Sequence, residues 1–278
     1  MTDYLDDAYD VADPDFVSVY DELPLWSAMF GLVLLEHVPL TPNATVLDVG
    51  CGTGFPALEL AGCLGPSCRV YAIDPWQPAI ARARRKAEIR KVRNVRPIAG
   101  DAADLPFDDA RFDLIVSNLG INNFEDPEAA LGECRRVARP GASLVLTTNL
   151  RGHMHQFYDA FGATLRQLGK EASLDALREH VDHRVTLAGV SDMLTAAGFR
   201  VRRVHEQTFT MRFLDGSALL RHSFIKIGFL DAWRRVVTPD EEKAVFARLE
   251  ENLNRLARER GELAVTIPMA CVVAEKVD

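Results

Sequence analysis

Residues 46–54 of this 278-residue chain, Val-Leu-Asp-Val-Gly-Cys-Gly-Thr-Gly, place three glycines directly after a short apolar run. An apolar run that ends in glycine is typical of a buried strand, and residues 56–64 after it have helical spacing. Glycines between a strand and a helix permit a sharp turn and let a ligand approach bare backbone N–H and C=O groups. The stretch therefore predicts a strand-to-helix turn that either binds a ligand or only closes tightly.

The same alternation of short apolar runs and helical patterns continues along the chain. The runs predict strands at 70–73, 95–99, 114–117 and 143–148, and the helical patterns lie at 78–92 and from Asp126 to just before Pro140. Near-continuous apolar strands that alternate with helices indicate an α/β fold whose parallel sheet is covered on both faces.

After Asn149 the pattern changes and helices dominate. The predicted elements are a helical region at 150–185, a helix at 187–197 with Gly198 as its C-terminal signal, a strand at 201–213, a helix opened by a capping box at Thr238 and reaching about Gly261, and a strand at 263–277. The two insertions, 150–185 and 214–240, are expected to form a helical lid over the edge of the sheet.

This organisation predicts a single compact unit with three successive segments. Residues 1–40 are expected to form an N-terminal helical cap, and residues 41–150 the ligand-binding core. Residues 151–278 are expected to complete the sheet and to carry the substrate lid.

Polar and aromatic side chains follow the second and third predicted strands. Asp74 ends the second strand, where its carboxylate is placed to accept hydrogen bonds from two ribose hydroxyls, and Pro75 and Trp76 follow, with an indole that can lie against adenine. Asp101 ends the third strand, placed to take an adenine amino group, with the Ala102 N–H for a ring nitrogen. Because the carboxyl ends of parallel strands meet at one edge, these residues predict a nucleoside site in the crevice there.

The turn after the third glycine disfavours a nicotinamide dinucleotide. In dinucleotide sites the motif G-x-G-x-x-G places pyrophosphate at a helix N-terminus, where backbone amides donate to it. Here the third glycine, Gly54, comes one residue early, and Phe55-Pro56 follows it. Since proline has no N–H, this turn lacks the donors that a pyrophosphate needs.

Several motifs together resemble a known family. They are VLDVGCGTG at 46–54, AID at 72–74, GDAADLPF at 100–107, FDLIVSN at 112–118 and ECRRVARPGASLVL at 133–146. In combination they resemble the class I S-adenosylmethionine-dependent methyltransferases, in particular the type 11 group that includes ubiquinone and menaquinone C-methyltransferases. The resemblance covers roughly residues 40–150. It implies a Rossmann-like, doubly wound, mostly parallel seven-stranded sheet with an antiparallel last strand.

The resemblance also implies a cofactor, S-adenosylmethionine, with S-adenosylhomocysteine as product, and roles for particular residues. Gly50, Cys51 and Gly52 would pass under the methionine moiety, and Asp48 would help to position its amino group. Asn118 and Leu119 would line the cofactor near the sulfonium. By the same likeness, the residues at the ends of the second and third strands would hold the ribose and the adenine.

One segment departs from the quinone methyltransferases. Residues 120–123, Gly-Ile-Asn-Asn, are similar to a segment of those enzymes but lack the arginine usual there. This difference disfavours a quinone acceptor. The sequence after Asn149 has no signature that identifies another acceptor.

Methyl transfer requires alignment of the acceptor with the S–CH3 axis and exclusion of water more than it requires acid or base groups. Where the acceptor is a hydroxyl or an activated carbon, a base is needed, and histidine suits that role at neutral pH. His153 and His155 lie just past the fifth strand, and Tyr158 follows about one helical turn later. These three residues are the candidates for acceptor contact or general base.

Composition and charge limit the other partners. The formal net charge is −8, which argues against nucleic acid, and the five cysteines show neither a CxxC pair nor a histidine at ligand spacing, so no metal site is predicted. The acidic stretch 1–16 does not predict a secretory signal, and the longest apolar stretch, 23–35, is too short to span a bilayer. We therefore expect a soluble, cytoplasmic protein that acts on a small or carrier-bound acceptor.

Two surface features have both a structural and a functional interpretation. A basic run, expected to be a solvated helix face or a dock for an acidic carrier protein, comprises Arg82, Arg84, Arg85, Lys86, Arg90, Lys91, Arg93 and Arg96. An N-terminal aromatic set, expected either to pack in helices or to close over the cofactor, comprises Tyr4, Tyr9, Phe16, Tyr20, Trp26 and Phe30.

Two alternatives to a methyltransferase remain open at this point, because fold alone does not decide function. One is another enzyme that uses S-adenosylmethionine on the same fold, such as a decarboxylase. The other is a catalytically silent subunit that binds the cofactor for stability. The sequence does not indicate an oligomeric state.

Overall fold

The computed structural model describes residues 2–23 and 25–277. Seven strands form one sheet in the order β3-β2-β1-β4-β5-β7-β6. In chain order they are β1 Thr45–Val49, β2 Arg69–Asp74, β3 Val95–Ala99, β4 Phe112–Asn118, β5 Ala138–Asn149, β6 Phe199–Phe213 and β7 Leu263–Lys276. Strands β1 to β5 pair in parallel, and β7 runs antiparallel to β5. The predicted doubly wound, mostly parallel sheet is confirmed.

Helices alternate with the strands and dominate after β5. They are α1 Pro14–Asp21, α2 Ser27–His37, α3 Ala57–Leu64, α4 Gln77–Arg90, α5 Pro127–Val137, α6 His155–Gln167, α7 Glu171–Asp182, α8 Leu187–Ala196, α9 Gly216–Arg221, α10 Ser223–Ile225, α11 Asp231–Arg234 and α12 Glu242–Arg260. Within the described ranges, none of these helices has the length and apolarity needed to cross a membrane.

Helix α5 begins as its sequence predicts. The Asp126 side chain accepts a hydrogen bond from the Ala129 N–H at 2.9 Å, Pro127 occupies the first helical position, and Glu128 lies in the first turn. Each of these residues satisfies or complements an unpaired N–H at the helix N-terminus. Gly198, the predicted stop signal after α8, has φ of +82°. It therefore takes the left-handed conformation that ends a helix most easily in glycine.

Strand β5 starts earlier than the predicted 143–148. Phe112 of β4 pairs with Ala138, but Leu114, only two residues later, pairs with Ser143. The three extra residues on β5 form an irregularity in the ladder, where Gly141 has φ of +73°. The Pro-Gly pair that predicted a break thus lies in a bulge inside the strand, because a bulge tolerates both residues.

Helix α12 begins later than the capping box at Thr238 predicts. Its first residue is Glu242, and no side chain caps it. The Glu241 N–H donates instead to the Thr238 carbonyl at 3.0 Å, and the Glu241 carboxylate forms an ion pair with Lys170. Residues 238–241 thus form a turn before the helix. The Glu241 carboxylate interacts there with the Thr238 side chain and backbone N–H as well as with Lys170, which is the glutamate half of the predicted capping box, but the helix itself starts only at Glu242.

The order of the strands creates a reversal beside β1. The chain runs outward from β1 to β2 and β3, then returns to place β4 on the other side of β1. In open α/β sheets, ligands bind outside the carboxyl ends of the strands at such a reversal. The glycine loop after β1 and the residues that end β4 therefore mark the expected binding edge.

The described residues fall into two compact units. One contains 11–149, 186–207 and 269–277, and the other contains 2–10, 150–185 and 208–268. These groups differ from the three successive segments expected at 1–40, 41–150 and 151–278, because β6 and β7 each begin in one unit and end in the other. The role of the inserted helices as a lid stays a prediction.

Candidate active site

The loop after β1 is shaped by its three glycines. Gly50, Gly52 and Gly54 have φ of +77°, +50° and +101°, a region that side-chain-bearing residues rarely adopt. The Gly50 and Cys51 N–H groups both donate to the Ile73 carbonyl, at 2.9 and 3.1 Å. A Cβ built on Gly52 would have no atom within 4 Å. The loop is therefore tied to β2 and leaves open space beside its middle glycine.

Asp48, which lies next to this loop, has a fully buried carboxylate. The residue is 0% exposed, and neither carboxylate oxygen has a hydrogen-bond partner within the described residues. Burial raises the pKa of Asp48 to about 8, the Ala57 N–H opposes this shift, and the Asp74 charge adds to it. An unpaired buried carboxylate costs stability, so its presence indicates a site for a cationic or donating ligand group.

Asp74, at the end of β2, joins the loop to the start of the next helix. Its Oδ2 accepts a hydrogen bond from the Gly52 N–H at 2.8 Å, and its Oδ1 accepts one from the Trp76 N–H at 2.9 Å. Burial raises the pKa of Asp74, and these two N–H groups oppose the shift. Since an ionised carboxylate can accept about four hydrogen bonds, each oxygen still has capacity for a ligand hydroxyl.

The N-terminal segment packs beside Asp74. The Trp76 indole N–H donates to the Val11 carbonyl at 2.8 Å, and the Tyr20 and Trp76 rings meet edge to face with centroids 5.2 Å apart. Burial and the Asp74 charge raise the pKa of Tyr20. Tyr20 was grouped in sequence only with other aromatic residues, so its place beside the predicted ribose contact comes from the fold. Pro75, between Asp74 and Trp76, is exposed.

The N-terminal aromatic set is divided between the two units. Phe16, Tyr20, Trp26 and Phe30 belong to the same unit as the glycine loop. Tyr4 lies in the other unit, where it is buried beneath the Arg221 guanidinium, 4.8 Å from its ring centroid, and Tyr9 lies near Lys226. Closure of these six residues over a cofactor stays a prediction.

Asp101 and Ala102 lie in the turn after β3. Asp101 is exposed, and its Oδ1 accepts a hydrogen bond from the Ala103 N–H at 2.9 Å, which leaves its second oxygen available. Ala102 is buried. The turn thus combines an accessible carboxylate with a small buried neighbour, as the prediction of an adenine site requires.

Asn118 ends β4, Leu119 follows it, and both are held in defined conformations. The Asn118 Oδ1 accepts from the Thr147 hydroxyl at 2.8 Å, and its Nδ2 donates to the Ser27 carbonyl at 3.1 Å. Leu119 has φ of +66°, an uncommon conformation for leucine. A Cβ on the following residue, Gly120, would lie 2.4 Å from the Ser117 Oγ. The chain therefore turns here only because glycine follows the strained leucine.

A polar network at the end of β5 was not foreseen from the sequence. Asn122 donates from Nδ2 to the Asn149 Oδ1 at 2.8 Å and accepts from the Thr148 hydroxyl, while the Asn149 Nδ2 is buried without a partner. The signal was present as Thr-Thr-Asn at 147–149, a polar end to an apolar strand. Within the described residues, the Asn149 Nδ2 is thus a second buried polar group without a partner at the binding edge, and this one is a hydrogen-bond donor.

The three residues predicted to contact the acceptor have different surroundings. His155 is exposed, and its Nδ1 lies 3.0 Å from the Thr266 hydroxyl. His153 is 1% exposed, its Nε2 has no partner within the described residues, and burial lowers its pKa to about 3. Tyr158 is buried, with its ring 5.6 Å from that of His153. The fold thus joins His153 to Tyr158 and separates both from His155.

His153 and Tyr158 belong to a larger group that the sequence did not reveal. The Tyr158 hydroxyl lies 3.2 Å from the His180 Nε2 and accepts a hydrogen bond from the Trp233 indole N–H at 3.2 Å. Arg184 acts electrostatically on Tyr158, His153 and His180. Within residues 2–23 and 25–277, no group of three or more His, Cys, Asp or Glu residues is arranged to hold a metal ion.

Known proteins share both the sequence and the fold of this chain. Residues 47–146 match a family model described as a methyltransferase domain. A demethylmenaquinone methyltransferase from Thermus thermophilus is 37% identical over 168 residues, which cover 56% of this chain and 74% of that protein. The solved structure of an S-adenosylmethionine-dependent methyltransferase from Aquifex aeolicus is 25% identical, with a TM-score of 0.54 over 69% of this chain and 91% of that one.

The chain belongs to the class I S-adenosylmethionine-dependent methyltransferases of the type 11 group. It spans less than half the length of some curated relatives: a demethylmenaquinone methyltransferase from Bacillus mycoides is 34% identical over 111 residues, which cover 40% of this chain and 47% of that protein. The sequence-based assignment to this family is confirmed.

The residues present fit the cofactor of this family. Asp48 supplies an unpaired buried carboxylate for the ammonium group of a methionine moiety, and the open space at Gly52 admits a ligand against the backbone. Asp74 retains acceptor capacity for ribose hydroxyls, and Asp101 for an adenine amino group. The orphaned Asp48 carboxylate is the strongest of these observations, because the apo fold gives it no other use.

Proposed function

We propose that this protein transfers a methyl group from S-adenosylmethionine to a small or carrier-bound organic acceptor by in-line displacement. The buried, unpaired Asp48 carboxylate beside the glycine loop carries the proposal. A protein that bound no ligand there would gain stability by losing such a group, because a buried polar group without a partner is costly. Methyl transfer requires the acceptor and the methyl group to be held in line, and a site at the edge of a sheet can hold a ligand in a fixed orientation.

The cofactor, when bound, supplies a sulfonium-activated methyl group, and the chain's own residues bind and orient it. Asp48 would take the ammonium group as a charged hydrogen-bond partner. Asp74 would hold the ribose while keeping its two backbone hydrogen bonds, so that the ligand and the loop are fixed by the same carboxylate. Asn118 is itself fixed by Thr147 and Ser27, so it would present a defined wall near the reacting carbon.

Binding calorimetry with S-adenosylmethionine, S-adenosylhomocysteine and NAD tests the cofactor part of the proposal. We expect both adenosyl ligands to bind and NAD not to bind at comparable concentration, because Pro56, in the turn after the early third glycine, has no N–H to donate to a phosphate. Asp74→Asn should weaken adenosyl binding about tenfold or more, since a charged hydrogen bond is worth about 1.5–3 kcal/mol. Asp108→Asn, the same exchange at an exposed aspartate, is the matched control.

The structure changes one expectation about Asp74. From sequence, its carboxylate has no structural partner, so removal should leave the melting temperature unchanged. Because it accepts from the Gly52 and Trp76 N–H groups, Asp74→Ala should lower the stability of the apo protein as well as its affinity. Tight NAD binding, or adenosyl binding that Asp74→Asn leaves unchanged, would contradict the assignment.

The acceptor is identified by the fate of the methyl group. S-adenosylmethionine with an isotopic label on the methyl carbon, incubated with the protein and a pooled metabolite extract, should yield a labelled organic product. The control is the Asp48→Asn protein at the same concentration, which should yield much less. Cofactor binding without any labelled product from free or carrier-bound acceptors would favour the silent-subunit alternative.

A further inference from the structure

Tyr20, near the end of α1, has a phenol hydroxyl that the chain itself does not use. Its ring meets the Trp76 indole edge to face, with centroids 5.2 Å apart, and stacks on Phe16 at 6.2 Å. These contacts fix the ring, but within the described residues its hydroxyl has no hydrogen-bond partner. The residue is 36% exposed. A packed ring with a free polar end suits a ligand contact, because one part of the side chain packs while the other forms a hydrogen bond.

Trp76 connects this tyrosine to the carboxylate that ends β2. The indole N–H donates to the Val11 carbonyl at 2.8 Å, which fixes the orientation of the ring. The backbone N–H of the same residue donates to the Asp74 Oδ1 at 2.9 Å. Tyr20, Trp76 and Asp74 therefore form a continuous series of contacts, and the end of α1 lies beside the carboxylate predicted to hold the ribose.

Helix α1 is anchored directly beside this contact. Asp21, the residue after the tyrosine, pairs with Arg82 at 3.0 Å and with Lys86 at 2.6 Å, both on α4. The Asp21 side chain is only 9% exposed, so solvent screens these ion pairs less than it screens exposed ones. Because α4 starts directly after Trp76, the ion pairs and the ring contact hold α1 against the same segment.

The Asp74 carboxylate and the Tyr20 hydroxyl complement each other toward a ribose hydroxyl. An ionised carboxylate only accepts hydrogen bonds, a phenol can donate one, and a ribose hydroxyl does both. One ribose hydroxyl would therefore donate to Asp74 and accept from Tyr20 at the same time. Burial and the Asp74 charge raise the pKa of Tyr20, which keeps the phenol in the protonated form that a donor requires.

We infer that Tyr20 is a cofactor-binding residue whose hydroxyl donates a hydrogen bond to the same ribose that Asp74 holds. The inference rests on the cofactor part of the function proposed above. The observations that carry it are the unused hydroxyl, the contact of its ring with Trp76, and the hydrogen bond from Trp76 to Asp74. None of the other five N-terminal aromatic residues is required to contact the ribose, so the inference is separate from closure of the whole set.

Calorimetric titration of S-adenosylhomocysteine into the full chain and into its Tyr20→Phe variant measures the contribution of the hydroxyl. The variant loses one oxygen and keeps its ring contacts, and its affinity should fall about threefold to tenfold through the loss of one hydrogen bond. Tyr71→Phe is the matched control, because the Tyr71 hydroxyl on β2 accepts from Arg111 at 2.9 Å and should not affect the cofactor. Unchanged affinity in Tyr20→Phe, or an equal loss in both variants, would overturn the inference.

Deoxy analogues of the ligand assign the contact to the ribose. S-adenosylhomocysteine and its 2′-deoxy and 3′-deoxy forms are titrated against the unaltered protein and Tyr20→Phe. The substitution should weaken the parent ligand about threefold or more but leave at least one deoxy form unaffected, because that form lacks the hydroxyl that accepts from Tyr20. An equal loss for all three ligands would place the contact elsewhere on the cofactor and would overturn the inference.

Thermal melting separates a contact with the cofactor from a structural role. Without ligand, Tyr20→Phe should melt at the same temperature as the unaltered protein, because the hydroxyl has no partner in the described chain to lose. A fixed concentration of S-adenosylhomocysteine should raise the melting temperature of the unaltered protein more than that of the variant, since stabilisation by a ligand follows affinity. A lower melting temperature without ligand, together with an equal ligand-induced rise, would show a structural role and would overturn the inference.

The proposed function and this inference fail in different measurements. An unaltered protein that binds no S-adenosylhomocysteine would contradict both. Normal binding that the Tyr20→Phe substitution leaves unchanged would remove the inference alone. Recognition of the ribose that depends on Tyr20, without any labelled methyl product, would keep the inference and remove the proposed methyl transfer.

Discussion

Asp48 and Gly50, at the end of β1 and just after it, lower the stability of the apo protein. Asp48 is buried without a hydrogen-bond partner, and the glycine beside it adopts a left-handed conformation that most residues avoid. Neither feature helps the apo protein to fold, since an unpaired carboxylate and a restricted backbone both oppose it. Groups of this kind persist where a ligand compensates them, and this is why we place the cofactor here.

The ionisation of Asp48 leads to a pH prediction. Its pKa is 3.8 in the reference state and about 8 in the folded protein, so folding favours the protonated form. The stabilising contribution is fully present below pH 3.8 and is lost as the pH rises through 8. Between pH 5 and 8 the free energy of unfolding of the apo protein should therefore decline, by at least about 1 kcal/mol more than in Asp48→Asn.

Urea unfolding at several pH values within this range measures the difference. Asp108→Asn is the control, because it removes an exposed carboxyl group and should leave the slope of the unaltered protein. Saturating S-adenosylmethionine should reduce the slope by pairing the Asp48 carboxylate. Parallel pH profiles for the unaltered protein and Asp48→Asn would show that Asp48 ionises normally in the apo fold.

Helices, strands and loops approach one another closely around the glycine loop, because small residues lie at the points of contact. A Cβ on Gly31 of α2 would lie 2.2 Å from a ring carbon of Phe55, and one on Gly50 would lie 3.1 Å from the Cα of Gly120. Helix α1 is held against α4 by Asp21, which pairs with Arg82 at 3.0 Å and Lys86 at 2.6 Å. The binding edge is thus shaped by packing between elements as much as by the loop.

Two glycine substitutions test how tightly β4 turns into the following segment. A Cβ at Gly120 would lie 2.4 Å from the Ser117 Oγ and 2.8 Å from the Val49 carbonyl oxygen. Gly120→Ala should therefore lower the free energy of unfolding by about 1–3 kcal/mol through overpacking. Gly132→Ala, in α5 where a Cβ meets nothing within 4 Å, should raise it by about 0.5–1 kcal/mol.

Chemical denaturation of both variants gives the comparison. The helical substitution serves as the control, since it adds the same methyl group without a clash. Its gain should appear as a higher midpoint with an unchanged slope. If Gly120→Ala proved as stable as the unaltered protein, the close approach of β4 to the glycine loop would not exist in solution.

At the scale of the whole molecule, a net charge of −8 coexists with the basic run on and after α4. Much of that run is used internally: Arg82 and Lys86 pair with Asp21, and Arg90 pairs with Glu59. These pairs favour the interpretation of a packed and solvated helix face. Docking of an acidic carrier protein there stays a prediction.

A charge reversal that spares the ion pairs between α4 and other helices tests the docking hypothesis. Lys86 and Arg90 are unsuitable positions, because they pair with Asp21 of α1 and Glu59 of α3, whereas Arg85 pairs only with the exposed Glu88 of its own helix. The triple variant Arg85→Glu, Lys91→Glu, Arg93→Glu changes exposed positions instead. For a free small acceptor we expect unchanged KM and kcat at every salt concentration.

Steady-state kinetics at low and physiological ionic strength distinguishes the outcomes. Lys86→Glu is a contrasting variant, expected to lower the melting temperature by breaking the contact of α1 with α4. A KM that rises in the triple variant only at low salt, with kcat and cofactor affinity intact, would instead indicate an acidic carrier.

The sequence alone determined the α/β class, the alternation of strands and helices and the cofactor family, because these depend on local signals. Apolar runs, glycines that need particular dihedral angles, and carboxylates at strand ends all act within a few residues of one another along the chain. For this reason Asp74 and Asp101 could be proposed as nucleoside contacts from their places at strand ends, and Asp48 from the family resemblance, before any tertiary contact was known; all three roles stay predictions.

Only the tertiary structure decided which distant residues meet. His180 had no distinguishing signal in the sequence, since its contact with the Tyr158 hydroxyl arises from packing between residues that are far apart along the chain. The same holds for His153 and His155, which are two residues apart in sequence but differ completely in exposure. Long-range packing sets burial, and burial sets the pKa of a histidine.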